Sequence, residues 1–311
     1  SAPLMSLADA RAQGLSIDWN AQPQPKPART GVFSLGVQDD SFKPDYAIDW
    51  STLANVADWS ILLRFFDLQD TWHPTKAVLR DDAPAAKRQE AEKLLADARQ
   101  MLVQAQAEQR LHPRACAGIW NAERRQDDIA VLTEGGEVIL HTLRQQTQSP
   151  RPRLALADFV APQGQGGYVG ALQLSVTGGS EWAAEFEKQH DSYNALLCAA
   201  LCNMLAEALA EASNAVINEI WPVQGSVSVR PACGYPSQPD HAEKQSVFNL
   251  LNATQHTGAT LTDTFMMNPP ASVCALVFNH PQAKYFAVGP IGQDQRQDYL
   301  SRTGRNLPAE T

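Results

Sequence analysis

The longest helical pattern in the chain runs from Glu181 to Ile220 and sets the strongest limit on how the chain can fold. Its apolar residues recur at helical spacing, so they form a stripe that must be buried against another layer of structure. A second amphipathic helix is predicted from Pro84 to Arg110, and Pro84 suits a first helical position, where no backbone donor is needed. The stripe of the longer helix consists of Tyr193, Leu197, Leu201, Met204, Leu205, Ala208, Ala212 and Val216.

Between and after these helices the sequence reads as short β-strands. Glu134-Gly135-Gly136-Glu137 supplies a hairpin turn between two of them. Strands in hairpins and helices in blocks, rather than in strict alternation, indicate the α+β class. We therefore predict a single domain with a central, mainly antiparallel twisted sheet flanked by long helices. Strands are predicted at 30–37, 115–120, 129–133, 137–143, 154–160, 168–177, 273–279 and 285–288, and shorter helices at 7–13, 246–257 and 294–302.

The first thirty residues differ in character from the rest. Residues 1–30 are predicted to be an N-terminal helix and a proline-rich linker, because Gln22 to Pro27 alternates polar residues with proline. Residues 31–311 are predicted to form the main domain. The chain begins with Ser1 and not with Met, which fits a piece of a longer protein.

Composition limits the partners and the compartment. The formal net charge of −9 argues against nucleic acid and anionic membranes as partners. We expect no membrane span, because no apolar run approaches the length needed to cross a bilayer. Five cysteines without paired spacing suit a reducing cytosol better than a disulfide framework, so we expect a cytoplasmic protein.

Two sequence patterns resemble a cofactor-binding loop and a metal site, but ordinary structural roles explain both patterns better. Gly164-Gln165-Gly166-Gly167-Tyr168-Val169-Gly170 misses the dinucleotide fingerprint, and a strand rather than a helix follows it, so a hairpin loop is favoured over a phosphate-binding loop. Cys198 and Cys202 lie one helical turn apart, but their apolar neighbours favour core packing over metal binding. The histidines form no metal-binding motif, and the Asp-x-His-x-x-Gly signature of cobalamin carriers is absent.

The segment Arg230-Pro-Ala-Cys-Gly-Tyr-Pro-Ser-Gln-Pro-Asp-His-Ala-Glu-Lys244 has an order that no fold requirement explains. Three prolines restrict its backbone, and glycine lets the main chain approach another group closely. An arginine four residues before a Gly-Tyr pair suits a small ligand with a carboxylate at one end and a flat or cationic group at the other. The alternative is a rigid surface turn whose arginine forms an ion pair.

This segment, together with Ala283-Lys-Tyr-Phe-Ala-Val-Gly289, resembles the activation domain of cobalamin-dependent methionine synthase, a family that binds S-adenosylmethionine. The resemblance extends from about Leu7 to Gly304, and its motifs stand in the family's order. The further motifs are Ile48-Asp-Trp50, Leu143-Arg-Gln-Gln146, Ala157-Asp-Phe-Val-Ala-Pro162, Val176-Thr-Gly-Gly179 and Gln189-His-Asp-Ser-Tyr-Asn194. Cys233 departs from the pattern, since a proline is frequent there.

By resemblance, eight residues contact S-adenosylmethionine, and none is a catalytic acid or base or a metal ligand. Arg230 would bind the carboxylate, and Asp49 the ammonium or the ribose hydroxyls. Asp49 could instead be a helix cap, and Glu207 an ordinary solvent-facing residue. The remaining contacts implied by the resemblance are Ala232, Gly234, Tyr235, Tyr285 and Phe286.

The resemblance also implies a function. The parent enzyme moves a methyl group from methyltetrahydrofolate to homocysteine through cobalamin, which a neighbouring domain carries. This module would reactivate oxidised cobalamin by donating the methyl of S-adenosylmethionine, while a flavodoxin or similar reductase supplies an electron. Lys284, Arg296, Arg302 and Arg305 could form a basic patch for that reductase, or be scattered solvated charges. The rival hypotheses are a docking module that clamps a partner domain without a ligand, and a stand-alone methyltransferase.

Overall fold

The computed structural model describes residues 3–223, 225 and 228–309. The amino-terminal part of the chain contains α1, β1, β2, two short helices, a hairpin of two short strands and a long helix. Their bounds are α1 Leu7–Ala12, β1 Gly31–Gly36, β2 Tyr46–Ala47, α2 Trp50–Val56, α3 Ser60–Phe65, β3 Trp72–His73, β4 Val78–Leu79 and α4 Ala85–Ala107. The carboxy-terminal part follows as β5 His112–Arg125, β6 Asp128–Thr133, β7 Gly136–His141, β8 Tyr168–Thr177, α5 Gly179–Lys188, α6 Ser192–Ile220, α7 Glu243–Leu251, α8 Ala253–Thr257, β9 Thr260–Leu261, β10 Met267–Asn268, β11 Ser272–Val277 and α9 Gln293–Thr303.

The main sheet has seven strands and is built around β5. Its order is β11-β8-β5-β1-β2, and the far end of β5 pairs with β6, which pairs with β7. Among the described strand pairs of this sheet, β1 with β2 is parallel and the others are antiparallel. The predicted α+β architecture with a mainly antiparallel sheet is therefore confirmed.

Both faces of the sheet are covered, as the alternation along β5 requires. Ala115, Ala117 and Ile119 face the core formed with α4 and α6. Cys116 and Ala122 face the core formed with α7 and α8. A strand buried on both faces explains why β5 reads as an apolar run rather than as alternating polar and apolar residues.

Helix α6 is the main element on its face of the sheet. By length and composition it could cross a membrane, so the expectation that no apolar run is long enough was wrong. However, 72% of its most apolar window is buried inside the fold. The apolarity of α6 is that of a core helix, and it places Glu207 and Glu211 near one edge of the sheet.

Two predicted strands were wrong. Residues 156–159 form a turn of 3₁₀-helix, because the Asp158 carboxylate accepts a hydrogen bond from the Ala155 amide at 3.0 Å and also binds Arg144. Residues 285–288 are an irregular segment whose Val288 amide donates to the Pro236 carbonyl at 2.8 Å.

The predicted helix from 181 to 220 is two helices. His190 has φ of +57°, which interrupts the helical backbone. Asp191 then caps α6, since its side chain accepts a hydrogen bond from the Asn194 amide at 3.0 Å.

The residues before Gly31 pack against the rest of the chain. Ile17 and Trp19 are buried, and the Gln24 amide group bonds to the main chain of Ala161 and Tyr168. The division at residue 30 stays a prediction, but this stretch runs over the domain surface and does not extend away from it.

The two plainer sequence interpretations fare differently: the glycine-rich loop leads into a strand as predicted but is not a hairpin loop, because residues 156–159 before it form a 3₁₀-helix. The glycine-rich loop leads into β8, which pairs with β5 and β11. Cys198 and Cys202 are buried in the core around α6.

Candidate functional site

A cleft of about 640 Å³ opens where α6 faces β11. The segment from Arg230 to Tyr235 forms a third wall, and Tyr285 and Met266 lie at its rim. The volume falls in the range of small-molecule sites. Of the eight predicted contacts, Glu207, Arg230, Ala232, Tyr235 and Tyr285 line this cleft.

The wall segment is held beside the edge strand β11. Val229 pairs with Phe278 and Ala232 with Ala275 in antiparallel bridges. The Leu276 amide also donates to the Pro231 carbonyl at 3.1 Å. The segment therefore covers the open edge of the sheet and takes its position from β11.

Gly234 is required at the turn of this segment. Its φ is +91°, and a Cβ added there would lie 2.2 Å from the His241 ring. The Tyr235 amide donates to the Ala232 carbonyl at 3.2 Å, which closes the turn. Only glycine combines this backbone conformation with such close packing, and the turn directs the Tyr235 side chain outward.

Arg230 is largely buried and already has partners. Its Nη1 donates to the Ala210 carbonyl at 2.8 Å, and its Nη2 to Glu211 Oε1 at 2.7 Å. Its Nε is buried without a hydrogen-bond partner in the described structure. The guanidinium is thus fixed against α6, and its Nε is left without a partner.

Exposed aromatic and sulfur side chains border the cleft. Tyr235 is 66% exposed, Tyr285 60% and Met266 56%. The Tyr285 hydroxyl accepts a hydrogen bond from the Arg230 amide at 2.8 Å, so the wall and the rim are joined. The Phe286 side chain points elsewhere and packs on Phe159, with ring centroids 6.2 Å apart.

A second hollow of about 520 Å³ continues the cleft toward α2 and α3. The two share Glu207, Glu211, Ser272 and Val273. Asp58 and Arg64 line the second hollow, with Arg64 Nη2 3.7 Å from Asp58 Oδ2. Three carboxylates, those of Asp58, Glu207 and Glu211, therefore line the joined space, together with the cationic side chains of Arg64, Arg230 and Lys244.

The structure separates two Asp-Trp pairs that look alike in sequence. Asp49 is exposed at the N-terminus of α2, its side chain makes no capping hydrogen bond, and it lies outside the residues that line the cleft. Asp58, before Trp59, lines the adjoining hollow. Its Oδ1 accepts from the Ser60 amide at 3.0 Å, so Asp58 is fixed at the start of α3. The sequence analysis did not select Asp58, although its Asp-Trp pair repeats that of Asp49.

The inner wall also carries groups that sequence reasoning did not select. Cys233, Cys274, His241 and Lys244 all line the cleft. Lys244 is buried, and its Nζ lies 2.7 Å from His241 Nδ1 and 3.0 Å from the Phe265 carbonyl. Burial lowers the pKa of Lys244, and burial together with Lys244 lowers that of His241.

Three arginines of the predicted basic patch are engaged within the chain, whereas its fourth member, Lys284, is exposed. Arg302 pairs with Asp128 and Asp298, and Arg305 pairs with Asp240 and Glu243. Arg296 donates to the Pro308 carbonyl at 3.1 Å. These arginines fasten the C-terminal residues and do not form a set of solvated charges ready for a partner.

Comparison with known proteins gives two findings. A family model described as vitamin B12 dependent methionine synthase, activation domain, matches residues 49–304. Among solved structures, the crystal structure of the MetH reactivation domain bound to AdoHcy is similar, with 32% sequence identity and a TM-score of 0.85. The alignment covers 98% of this chain and 95% of that chain.

Within the described part of the present chain, no group of three or more His, Cys, Asp or Glu residues could hold a metal ion.

Proposed function

The chain belongs to the family of vitamin B12 dependent methionine synthase activation domains, and we propose that it binds S-adenosylmethionine in the cleft between α6, β11 and the 230–235 segment. The observation that carries the proposal is the convergence of Arg230, Tyr235, Tyr285 and Glu207 on this one cleft. The similar reactivation domain was crystallised with AdoHcy, the product form of the same ligand.

Arg230 is the group suited to the ligand's carboxylate. A guanidinium binds a carboxylate through charge-assisted hydrogen bonds, and the unpartnered Nε supplies one further donor. Because Nη2 bonds to Glu211, whose side chain is 60% exposed, the ligand must displace or share this partner. An exposed carboxylate is released at small cost, since water replaces its hydrogen bonds.

The cationic groups of the ligand suit the acidic side of the cleft. S-adenosylmethionine carries an ammonium and a sulfonium, and Glu207, Glu211 and Asp58 surround the joined space. We assign the ammonium contact to Asp58 in place of Asp49, because Asp58 lines that space. The adenosine fits the rim, where Tyr235 and Tyr285 expose flat faces for stacking.

The chain's residues position a methyl donor and transfer no proton. A methyl group leaves a sulfonium without acid or base catalysis, so the contribution of Arg230, Asp58 and Tyr235 is to hold the ligand with its methyl toward the cleft mouth. Cobalamin held by a neighbouring domain of the parent enzyme would supply the methyl acceptor. A flavodoxin or similar reductase would supply the electron.

The alternative is a docking module without a ligand of its own. The Arg230–Glu211 ion pair favours it, since a guanidinium satisfied within the chain needs no ligand. Equilibrium binding of S-adenosylmethionine to the purified chain separates the two functions. Saturable binding at one site per chain supports the proposal, and the absence of binding leaves the docking module.

A further inference from the structure

Cys233 and Cys274 face each other across the pairing of the wall segment with β11. The register set by Ala232 with Ala275 places them directly opposite, and the Cys233 amide donates to the Cys274 carbonyl at 3.0 Å. In such a hydrogen-bonded antiparallel pair the Cα atoms are about 5.5 Å apart, a separation that a disulfide spans. Both side chains belong to the same buried cluster. The geometry therefore permits a bond between the two sulfurs without rearrangement of the strands.

The pair borders the cleft. Both cysteines line it, although they are only 2% and 1% exposed. The other three cysteines, Cys116, Cys198 and Cys202, are buried elsewhere and do not line this cleft. Of the five thiols, Cys233 and Cys274 are therefore the two next to the cleft.

Two charged side chains lie near the pair. Lys244 lines the same cleft as both cysteines, and its Nζ lies 2.7 Å from His241 Nδ1 and 3.0 Å from the Phe265 carbonyl. An ammonium at this position favours a neighbouring thiolate, and the buried Glu243 carboxylate opposes it at Cys233. The neighbouring Cys274 thiol and burial raise the pKa of Cys233.

We infer that Cys233 and Cys274 are an oxidisable dithiol that reacts with small-molecule disulfides entering through the cleft. One of the two cysteines attacks, as its thiolate, one sulfur of the reagent, which breaks the reagent's S–S bond and releases one thiolate. The other cysteine then loses its proton and attacks the resulting mixed disulfide, which releases the second thiol. In sum, two protein S–H bonds are replaced by one S–S bond, and the reagent is reduced to two thiols.

The consequence for the ligand rests on the proposed function. If S-adenosylmethionine occupies the cleft, it closes the route by which the reagent reaches the sulfurs. Occupancy then protects the pair, and at ten times its dissociation constant the ligand slows the reaction about 10-fold. The disulfide would in turn join the wall segment to β11. It would close the loop of chain between Cys233 and Cys274, which raises the stability of the folded state.

The test uses the purified, reduced chain and oxidised glutathione as the reagent. Peptide mapping by mass spectrometry is expected to show one Cys233–Cys274 cross-link, reversed by dithiothreitol, with a melting temperature raised by about 5 °C. The cross-link is expected to be absent in Cys233→Ser and Cys274→Ser. Cys198→Ser is the matched control, because Cys198 also has a cysteine neighbour but lies outside the cleft, and it is expected to keep the cross-link.

Failure of the inference and of the proposed function can be told apart. Five free thiols after oxidation, or a cross-link at Cys198–Cys202 instead, would overturn the dithiol whatever the ligand does. If the cross-link forms and calorimetry shows ligand binding, but the ligand does not slow oxidation, access through the cleft is wrong. If calorimetry shows no binding, the proposed function fails, while a Cys233–Cys274 cross-link still supports the dithiol.

Discussion

Arg230 Nη2 lies 2.7 Å from Glu211 Oε1 in the wall of the cleft. The arginine that we assign to the ligand's carboxylate is therefore held in place by a carboxylate that faces solvent. This arrangement keeps the guanidinium ordered, which reduces the conformational entropy lost on binding. It also means that the ligand's carboxylate competes with Glu211.

Asp58→Asn is expected to weaken S-adenosylmethionine binding about 10-fold, because an amide keeps one acceptor but loses the negative charge that attracts the ammonium. Asn can still cap α3 through the Ser60 amide, so the fold is expected to stay intact. Asp49→Asn is the matched control and is expected to bind as the wild type does. Titration calorimetry on both variants measures this, and the reverse ranking would restore Asp49 as the contact.

Gly234→Ala is expected to lower the free energy of unfolding by about 2–3 kcal/mol. The new Cβ would meet the His241 ring at 2.2 Å in a backbone with φ of +91°. Gly164→Ala is the control, since its φ of +79° carries the same strain with no atom within 4 Å of the Cβ. It is expected to cost about 1 kcal/mol. Urea unfolding gives both values, and equal losses would show that the contact with His241 contributes nothing.

Asp39 is expected to make stability depend on pH on the acid side. Burial raises the pKa of Asp39, but hydrogen bonds from Arg114, Ser41 and His112 outweigh it and hold the pKa well below its usual range. A carboxyl with a depressed folded pKa stabilises the protein above its unfolded pKa of about 3.9, and this stability is lost as the pH falls below that value.

Asp39→Asn should therefore flatten the acid limb of the stability curve, whereas Asp40→Asn, at an exposed neighbour, should keep its slope. Thermal unfolding between pH 2 and pH 6 measures the slopes. Parallel curves for the wild type and Asp39→Asn would contradict this account.

Much of the fold could be predicted from the sequence because local patterns and tertiary packing agree there. Residues 168–177 were predicted as a strand with the bounds that β8 has. The break before α6 was missed although Asp191-Ser192 is a capping signal, because the apolar periodicity on both sides outweighed it. Residues 285–288 have strand-like side chains, but their hydrogen bonds go to the 236–237 turn, which is distant in sequence.

The candidate site was predicted where one local motif holds several of its residues, as the 230–235 segment does. The choice between Asp49 and Asp58 could not be made in this way. Both precede a tryptophan near a helix start, and it is the packing of α3 near α6 that places Asp58 at the second hollow. The Cys233–Cys274 pair likewise could not be predicted from the sequence, because the two cysteines are brought together by the pairing of the wall segment with β11.

The most direct test of the central claim is calorimetric titration of S-adenosylmethionine into the wild-type chain and into Arg230→Ala. We expect one saturable site in the wild type and affinity lower by about 10- to 100-fold in the variant, because the ligand's carboxylate loses a charged partner. Arg88→Ala, which removes an ion-paired arginine on α4 outside the cleft, is expected to bind as the wild type does. Absence of saturable binding in the wild type, or equal affinities for the wild type and a folded Arg230→Ala, would contradict the assignment of this cleft.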